Sequence, residues 1–196
     1  MNRRYFLAAG TSFAAVLPAL PAFALNEAGA KQLINALVGD INGVIGSGRS
    51  ESAMFRDFER IFARYSDTSY ISAYAMGVDG RRASNAQKRA FSNAFQGYIA
   101  RKYGRRFREF IGGQLEVKGV RAVNNWFEVE TTAFLRGQSP FAVTFHVSNR
   151  SGRDLFFNMF IEGVNLLLTE RTEIGALIDR NGGNIDAMIA DLRNLG

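Results

Sequence analysis

Apolar residues three and four positions apart dominate the first half of the chain beyond its N-terminal segment. This spacing is that of one face of an amphipathic helix, and it predicts a helix over residues 26–47 that ends near Gly46. A second helix is predicted from an N-cap at Ser50 to about Tyr65, and a third, shorter one over residues 70–76. The first half of the chain is therefore predicted to be helical.

The longest apolar stripe belongs to a fourth predicted helix. Ser84 can cap its start, and Gly112-Gly113 can end it. The stripe is rich in aromatic residues and consists of Phe91, Phe95, Tyr98, Ile99, Tyr103, Phe107, Phe110 and Ile111. One face of this helix is therefore strongly apolar.

After this helix the apolar period changes from helical to alternating. Alternation predicts three antiparallel strands, near residues 115–117, 127–135 and 141–147. Residues 155–161 are apolar at both parities except Asn158, which predicts a strand covered on both faces. We expect that strand to be central.

Two short helices are predicted at the end of the chain, over residues 172–181 and 185–195. Helices, then a four-strand antiparallel sheet, then two helices make the fold class α+β. Neither an internal repeat nor a linker interrupts this order.

The N-terminal segment has the pattern of a removable export signal. Arg3 and Arg4 precede an apolar stretch over residues 7–20, and small residues at 22–24 offer a cleavage site after Ala24. The Arg-Arg-x-Phe-Leu order resembles the twin-arginine consensus, and the choice between that route and the general one stays open. The alternative of a membrane anchor is disfavoured because the apolar stretch is shorter than the roughly 20 residues that span a bilayer.

Cleavage would leave residues 25–196, a length typical of one compact domain. Cysteine is absent, so neither disulfides nor a lipidated cysteine are expected despite an oxidising destination. Loss of Arg3 and Arg4 lowers the formal net charge from +6 to +4. We therefore expect a soluble, mildly basic mature protein.

Sequence motifs for catalysis are missing. The chain has neither a Gly-x-x-x-x-Gly-Lys-Ser/Thr loop nor a Gly-x-Gly-x-x-Gly turn, which argues against nucleotide hydrolysis and dinucleotide binding. His146 is the single histidine, and no carboxylates at metal-ligand spacing surround it. Ser148 follows on the same strand face without a nucleophile elbow, and Glu128 and Glu130 fit a solvated strand face. We predict a protein that is not an enzyme, with a hydrolase based on His146 as an open alternative.

A basic run over residues 101–108 mixes cations with aromatic residues. Helical geometry separates the two sets, because Arg101, Arg105 and Arg108 point away from the aromatic stripe. The run is therefore interpreted as a solvated face, or as a docking surface for acidic proteins or lipids, and not as a nucleic-acid site.

Phenylalanine is unusually frequent, with seventeen residues. Most lie on the long helix and on the strands that can face it. A densely packed core and an apolar cavity both explain such an excess, and composition does not distinguish them.

Two blocks of sequence resemble the MlaC family of periplasmic phospholipid shuttles, also described as toluene-tolerance auxiliary proteins. The first block consists of Ala75-Met76-Gly77, Gln87, Lys88-Arg89, Phe91, Phe95 and Tyr103. The second is Phe-Ile-Glu-Gly-Val-Asn-Leu at residues 160–166, followed by a resemblance to the closing helix pair over residues 178–192. Asn158 and Asn165 depart from the aspartate and serine that are usual in the family, and Trp126 does not occupy the usual tryptophan position.

The resemblance implies a curved sheet of the nuclear-transport-factor-like (NTF2-like) type packed by helices, which encloses a pocket for phospholipid tails. The cargo would be phospholipid, with no cofactor and no metal. Together with the periodicity, the resemblance predicts a lipid-binding pocket lined by Phe91, Phe95, Ile99, Tyr103, Phe107, Val129, Phe145, Val147, Met159 and Ile161.

The expected function is that of a soluble periplasmic carrier that shuttles lipid between the outer and inner membranes and so maintains outer-membrane lipid asymmetry. The resemblance implies two partners, an outer-membrane lipoprotein–porin complex and an inner-membrane ABC-type lipid transporter. The alternative is a periplasmic binding protein for another apolar ligand, such as a sterol- or terpenoid-like lipid.

Overall fold

The computed structural model describes residues 25–104 and 113–195. The predicted signal segment, residues 1–24, lies outside this range, as do Phe107 and the predicted end of the long helix. The described elements begin with four α-helices: α1 (Glu27–Ile45), α2 (Glu51–Tyr65), α3 (Thr68–Met76) and α4 (Asn85–Gly104). A short 3-10 turn, Gly77–Arg81, connects α3 to α4.

Five strands and two helices follow. The strands are β1 (Gln114–Val123), β2 (Trp126–Phe134), β3 (Phe141–Ser148), β4 (Leu155–Ile161) and β5 (Val164–Asn165), and the helices are α5 (Leu166–Arg180) and α6 (Ile185–Asn194). All neighbouring strands are antiparallel, in the order β1-β2-β3-β4-β5. The α+β prediction is confirmed, with a fifth, two-residue strand in addition to the predicted four.

Side-chain caps fix most helix starts. Ser84 Oγ accepts from the backbone N–H of Gln87 at 3.1 Å, while Gln87 Oε1 accepts from the N–H of Ser84 at 2.9 Å. This reciprocal pair is the capping box expected at the start of α4. The predicted cap at Ser50 is different, because its side chain makes no hydrogen bond to the first turn of α2.

Helix α5 begins six residues earlier than the sequence pattern predicted. Asn165 is its N-cap, and the Oδ1 atom accepts from the backbone N–H of Leu168 at 3.1 Å. The helix therefore includes Leu166, Leu167 and Glu170, which the prediction had left outside it.

Strand β4 is not the central strand, which is β3. Beyond β4 lies the short edge strand β5, which pairs with β4 only at Phe160 and Ile161. The register shifts between His146 and Val147 of β3, which marks a bulge in this pair of strands. Phe157, at this bulge, makes an edge contact with Tyr70 of α3 at a ring-centroid distance of 5.5 Å. β4 is apolar at both parities because Phe157 and Phe160 also pack against His146 of β3, at ring-centroid distances of 5.7 and 4.7 Å.

The helices pack mainly against one another above one face of the sheet. Helix α1 lies on β1 to β3, and α5 packs against α3 and β4. Helices α2 and α4 contact each other, and α4 also contacts α3 and α6. The Phe62 ring of α2 meets that of Phe156 of β4 edge-on at 6.0 Å, but the backbones of α2 and α4 stay farther from the strands. A space is therefore left between the α2–α4 pair and the sheet.

Candidate functional site

An apolar cavity of about 170 Å³ occupies the space between the helices and the sheet. Every helix from α1 to α5 and three of the strands contribute to its wall. The wall consists of Leu37, Ile41, Phe58, Ile61, Phe62, Ile71, Phe95, Ile99, Ala100, Tyr103, Leu115, Val143, Phe145, Phe156, Phe157, Asn158, Met159, Ile161, Leu166, Leu167 and Glu170. The wall is almost entirely hydrocarbon, which suits an apolar ligand.

Six of the ten residues predicted from the sequence lie on this wall. They are Phe95, Ile99, Tyr103, Phe145, Met159 and Ile161. Strand register explains the strand members, because Phe145 pairs with Met159 and Val143 with Ile161 on the face that the helices cover. The long-helix stripe and the sheet therefore do face each other.

The other predicted residues are elsewhere. Phe91, Val129 and Val147 are fully buried in the core and do not line the cavity. The Phe91 ring is one helical turn from Phe95 and stacks on it at 5.4 Å, so it packs behind the wall. Phe107 lies outside the described residues.

Fifteen wall residues were not predicted from the sequence, and eight of them form two groups, while the other seven lie on α3, α4, β1, β3 and β4. One group comes from α1 and α2, such as Leu37 and Phe58, whose apolar stripes were recognised but not assigned to the pocket. The other comes from the start of α5, which the prediction had placed too late. The N-cap Asn165 before Leu166 was a usable signal for that earlier start.

Asn158 is the polar group of the β4 wall. Its Oδ1 atom accepts from the backbone N–H of Met159 at 2.8 Å and from that of Leu167 at 3.3 Å. The buried amide thereby connects β4 to the first turn of α5. Asparagine can hold this junction without placing a charge at the cavity wall.

A cluster of five polar residues joins α4 to α5, and two of its members, Tyr103 and Glu170, lie on the cavity wall. Lys102 Nζ donates to Glu170 Oε1 at 2.7 Å and to Glu173 Oε2 at 2.5 Å. Tyr103 donates to Glu170 Oε1 at 2.5 Å, and Tyr98 donates to Glu173 Oε2 at 2.8 Å. We call Tyr98, Lys102, Tyr103, Glu170 and Glu173 the α4–α5 polar cluster.

The cluster has a defined protonation pattern. Burial, with the charge of Glu170 next in size, raises the pKa of both Tyr98 and Tyr103, so both phenols stay protonated donors. Burial alone would raise the pKa of Glu173, but the hydrogen bonds from Lys102 and Tyr98 outweigh it and lower that pKa. Glu173 is therefore ionised at neutral pH.

One carboxylate oxygen of this cluster accepts no hydrogen bond from the described residues. Glu170 Oε2 is buried and has no hydrogen-bond partner among the described residues, whereas Oε1 has two. Glu170 lies on the cavity wall. One carboxylate oxygen of a wall residue is therefore buried without a partner among the described residues.

His146 lies on the opposite face of the sheet. Its ring is 4.0 Å from that of Trp126 and 4.7 Å from that of Phe160, measured between centroids. Burial, and to a smaller extent the charge of Arg121, lowers the pKa of His146 to about 4. The imidazole is thus neutral at pH 7, and its 3.6 Å approach to Glu128 is not an ion pair.

Arg101 differs from the solvated side chain that was predicted. Its Nε donates to the carbonyl of Leu195 at 2.9 Å, and a terminal nitrogen donates to that of Leu192 at 3.0 Å. These are free carbonyls at the end of α6, so Arg101 caps that helix. Arg105 and Arg108 lie outside the described residues.

The described residues contain neither a membrane-spanning helix nor a cluster of metal-ligating side chains. No helix among residues 25–104 and 113–195 is long and apolar enough to cross a membrane. In the same part of the chain, no three histidine or acidic side chains come together in a way that could hold a metal ion.

The fold and the sequence are both similar to proteins of one family. A solved structure from Ralstonia solanacearum, a phospholipid-binding protein in complex with a phospholipid, superimposes with a TM-score of 0.69 at 19% sequence identity, covering 83% of this chain and 98% of that one. The family model for the MlaC protein matches residues 31–194. Since this match includes most of the sequence, the chain belongs to the MlaC family.

Proposed function

We propose that this protein is a non-enzymatic phospholipid carrier of the periplasm, which encloses acyl chains in its cavity and moves lipid between the outer and inner membranes. Such transport would maintain the lipid asymmetry of the outer membrane. The observation that carries the proposal is the apolar cavity between α2, α4 and the sheet. Membership of the MlaC family and the phospholipid in the R. solanacearum structure support it.

The lipid tails must be enclosed because exposing them to water has a large free-energy cost. Two acyl chains with about 30 methylenes, at about 0.8 kcal/mol each, would require on the order of 24 kcal/mol to expose. A hydrocarbon wall about as apolar as a membrane makes transfer in either direction nearly thermoneutral. The carrier itself then needs no energy source, and its partners set the direction.

The size of the cavity indicates that loading widens it. An engineered cavity of about 150 Å³ holds one benzene molecule, so 170 Å³ accommodates only a small part of two acyl chains. The backbones of α2 and α4 lie away from the strands, and side chains such as Phe62, which meets Phe156, connect α2 to the sheet. Outward movement of this pair would enlarge the cavity without breaking the sheet.

Residues 1–24 would direct export as a cleaved signal, after which the domain of residues 25–196 crosses the periplasm. Docking would take place at an outer-membrane lipoprotein–porin complex and at an inner-membrane ABC-type lipid transporter. The mild positive charge of the chain would assist encounters with acidic surfaces on such partners.

Extraction of lipid from purified protein tests the proposal. Mass spectrometry of a chloroform extract is expected to show phospholipid at near-stoichiometric amounts, and delipidated protein is expected to reload from vesicles. Protein that carries no lipid and takes none up would contradict the proposal. A sterol- or terpenoid-like molecule in the extract would instead support a binding protein for another apolar ligand.

A further inference from the structure

Helices α1 and α2 leave a groove of about 550 Å³ between them on the protein surface, in addition to the apolar cavity. Three arginines and two aspartates supply the charged groups of its lining, so this lining has one excess positive charge. They are Arg49, Arg60 and Arg64, with Asp40 and Asp57. None of these five side chains lines the apolar cavity. The groove is therefore a separate feature of the surface, with a different chemistry.

Both aspartates are already engaged by the arginines. Asp57 is 10% exposed, and its two oxygens accept hydrogen bonds from Arg49, at 2.6 Å, and from Arg60. Asp40 Oδ2 accepts from a terminal nitrogen of Arg64 at 3.3 Å. The carboxylates thus hold the guanidinium groups at the groove, and the positive charge in excess is left for another anion.

The guanidinium groups remain open to solvent. The side chains of Arg49, Arg60 and Arg64 are 55%, 73% and 71% exposed. Each guanidinium has five N–H groups, of which the bonds within the described residues engage one or two. The others can donate to an incoming carboxylate, which pairs with a guanidinium through two parallel hydrogen bonds.

The arginine spacing on α2 is unfavourable for the helix itself. Arg56, Arg60 and Arg64 follow one another at four-residue intervals, and all three are exposed. Like charges at this spacing are neighbours on a helix surface and lower its stability. An anionic partner bound along this face would remove that repulsion. The spacing is therefore better explained by binding than by folding.

The shape of the groove favours a polypeptide segment over a membrane surface. Gly39 and Gly43 lie one turn apart on α1 and both line the groove, and a Cβ atom added to either would meet nothing within 4 Å. Without side chains on this wall, the backbone of another chain can lie close to α1. A bilayer surface is broad and would contact the arginine side chains without entering the groove.

We propose that an acidic segment of a partner protein docks in the groove between α1 and α2, with its carboxylates on Arg49, Arg60 and Arg64. Ile61 lines both the groove and the apolar cavity, so the docked segment would lie beside the cavity. For a lipid carrier, this is a surface at which a partner is recognised. The docking site is distinct from the cavity, and the proposal holds whether or not the cavity contains lipid.

Binding of a model acidic peptide tests the proposal. A fluorescently labelled peptide of alternating glutamate and glycine is titrated with the purified protein, and anisotropy reports binding. The same peptide with glutamine in place of glutamate is expected to bind about tenfold more weakly or not at all. Affinity for the acidic peptide is expected to fall as salt is added, because exposed charges are screened. Equal binding of the two peptides would overturn the proposal.

Arg64→Gln removes one cation of the groove. Asp40 keeps its hydrogen bond from the hydroxyl of Tyr65, at 2.7 Å, so the fold should be retained. The affinity for the acidic peptide is expected to fall about fivefold. Arg180→Gln is the matched control, because Arg180 is exposed at the end of α5 and does not line the groove. An equal loss in both variants would show attraction to net charge alone and overturn the docking site.

Gly43→Leu fills the groove without a change of charge. Leucine is a better helix former than glycine and the space around Gly43 is open, so the fold should be intact. We expect the affinity for the acidic peptide to fall about tenfold or more. Wild-type affinity in this variant would show that the segment does not enter the groove. Wild-type protein that binds phosphatidylglycerol vesicles and not the peptide would make the arginines a membrane contact and overturn the proposal. Neither result affects the lipid extraction that tests the carrier function.

Discussion

Ala100 offers a direct way to test whether the cavity holds lipid. It lies on α4, is 5% exposed, and contributes its methyl group to the cavity wall. Replacement by phenylalanine would project a ring into the open space. Since the side chain of Ala100 borders open cavity space, the phenylalanine ring has room that a packed core would not provide.

The size of the effect follows from the volume. A benzene ring fills a cavity of about 150 Å³, so the new ring would occupy most of the 170 Å³ present. It would displace about six ligand carbons, which at about 0.8 kcal/mol each amounts to about 5 kcal/mol of lost lipid burial. That figure corresponds to a loss of affinity of between about three and four orders of magnitude. Outward movement of α2 and α4 would reduce the loss, and we expect at least a tenfold decrease.

The assay compares lipid occupancy of wild-type protein, Ala100→Phe and Ala190→Phe after incubation with the same vesicles. Ala190 is exposed on α6 and does not line the cavity, so its variant controls for the added ring. Thermal unfolding of each variant checks that the fold is intact, because overpacking usually costs about 1–3 kcal/mol. A folded Ala100→Phe protein with wild-type occupancy would refute the assignment of this cavity to lipid.

Three further predictions concern stability. The pKa of His146 is about 4 in the folded protein and 6.5 ordinarily, so the unfolded chain takes up a proton at a higher pH than the folded one. The free energy of unfolding should therefore fall by up to about 3 kcal/mol as the pH drops from 6.5 to 4, which urea titrations of wild type and His146→Phe measure. Asn184→Ala removes the α6 N-cap, whose Oδ1 accepts from the N–H of Ala187 at 3.1 Å, and should cost about 1 kcal/mol in the same titration. Gly104→Ala should destabilise by about 1–3 kcal/mol because the new Cβ would lie 2.6 Å from Phe55 Cδ1.

Each of these predictions has a distinguishing outcome. A His146→Phe protein whose stability falls with pH as steeply as wild type would show that another group is responsible. Asn184→Asp, which can still cap, should retain stability, and equal losses in both Asn184 variants would rule out capping as the cause. If Gly104→Ala unfolds at the wild-type denaturant concentration, the contact between α2 and α4 is looser than described.

The helices and strands could be predicted because each has a regular apolar period. The α4 stripe is the clearest case, and the cap predicted at Ser84 is present, with Gln87 completing a capping box. The position of β4 in the sheet could not be predicted correctly, because β4 is apolar at both parities and so resembles a central strand. That pattern comes from an aromatic cluster in which Phe157 and Phe160 pack against His146 and Phe157 also meets Tyr70, and sequence cannot show which residues supply this cover.

The sequence alone could not show that the fold contains a cavity. Phe91 and Phe95 are one turn apart on the same stripe, yet one is in the core and the other lines the cavity. Periodicity reports which face is buried and not whether the space opposite is filled. Glu170 was missed for a different reason, because the predicted α5 began after it.

The aromatic contact on the outer face of the sheet has a practical consequence. Trp126 is the single tryptophan of the chain, and its ring lies against His146 on the side of β2 and β3 away from the cavity. Its fluorescence should therefore report unfolding of the sheet with little direct influence from bound lipid. Empty and loaded protein can then be compared by one optical signal, and any gain in stability on loading gives the affinity through linkage.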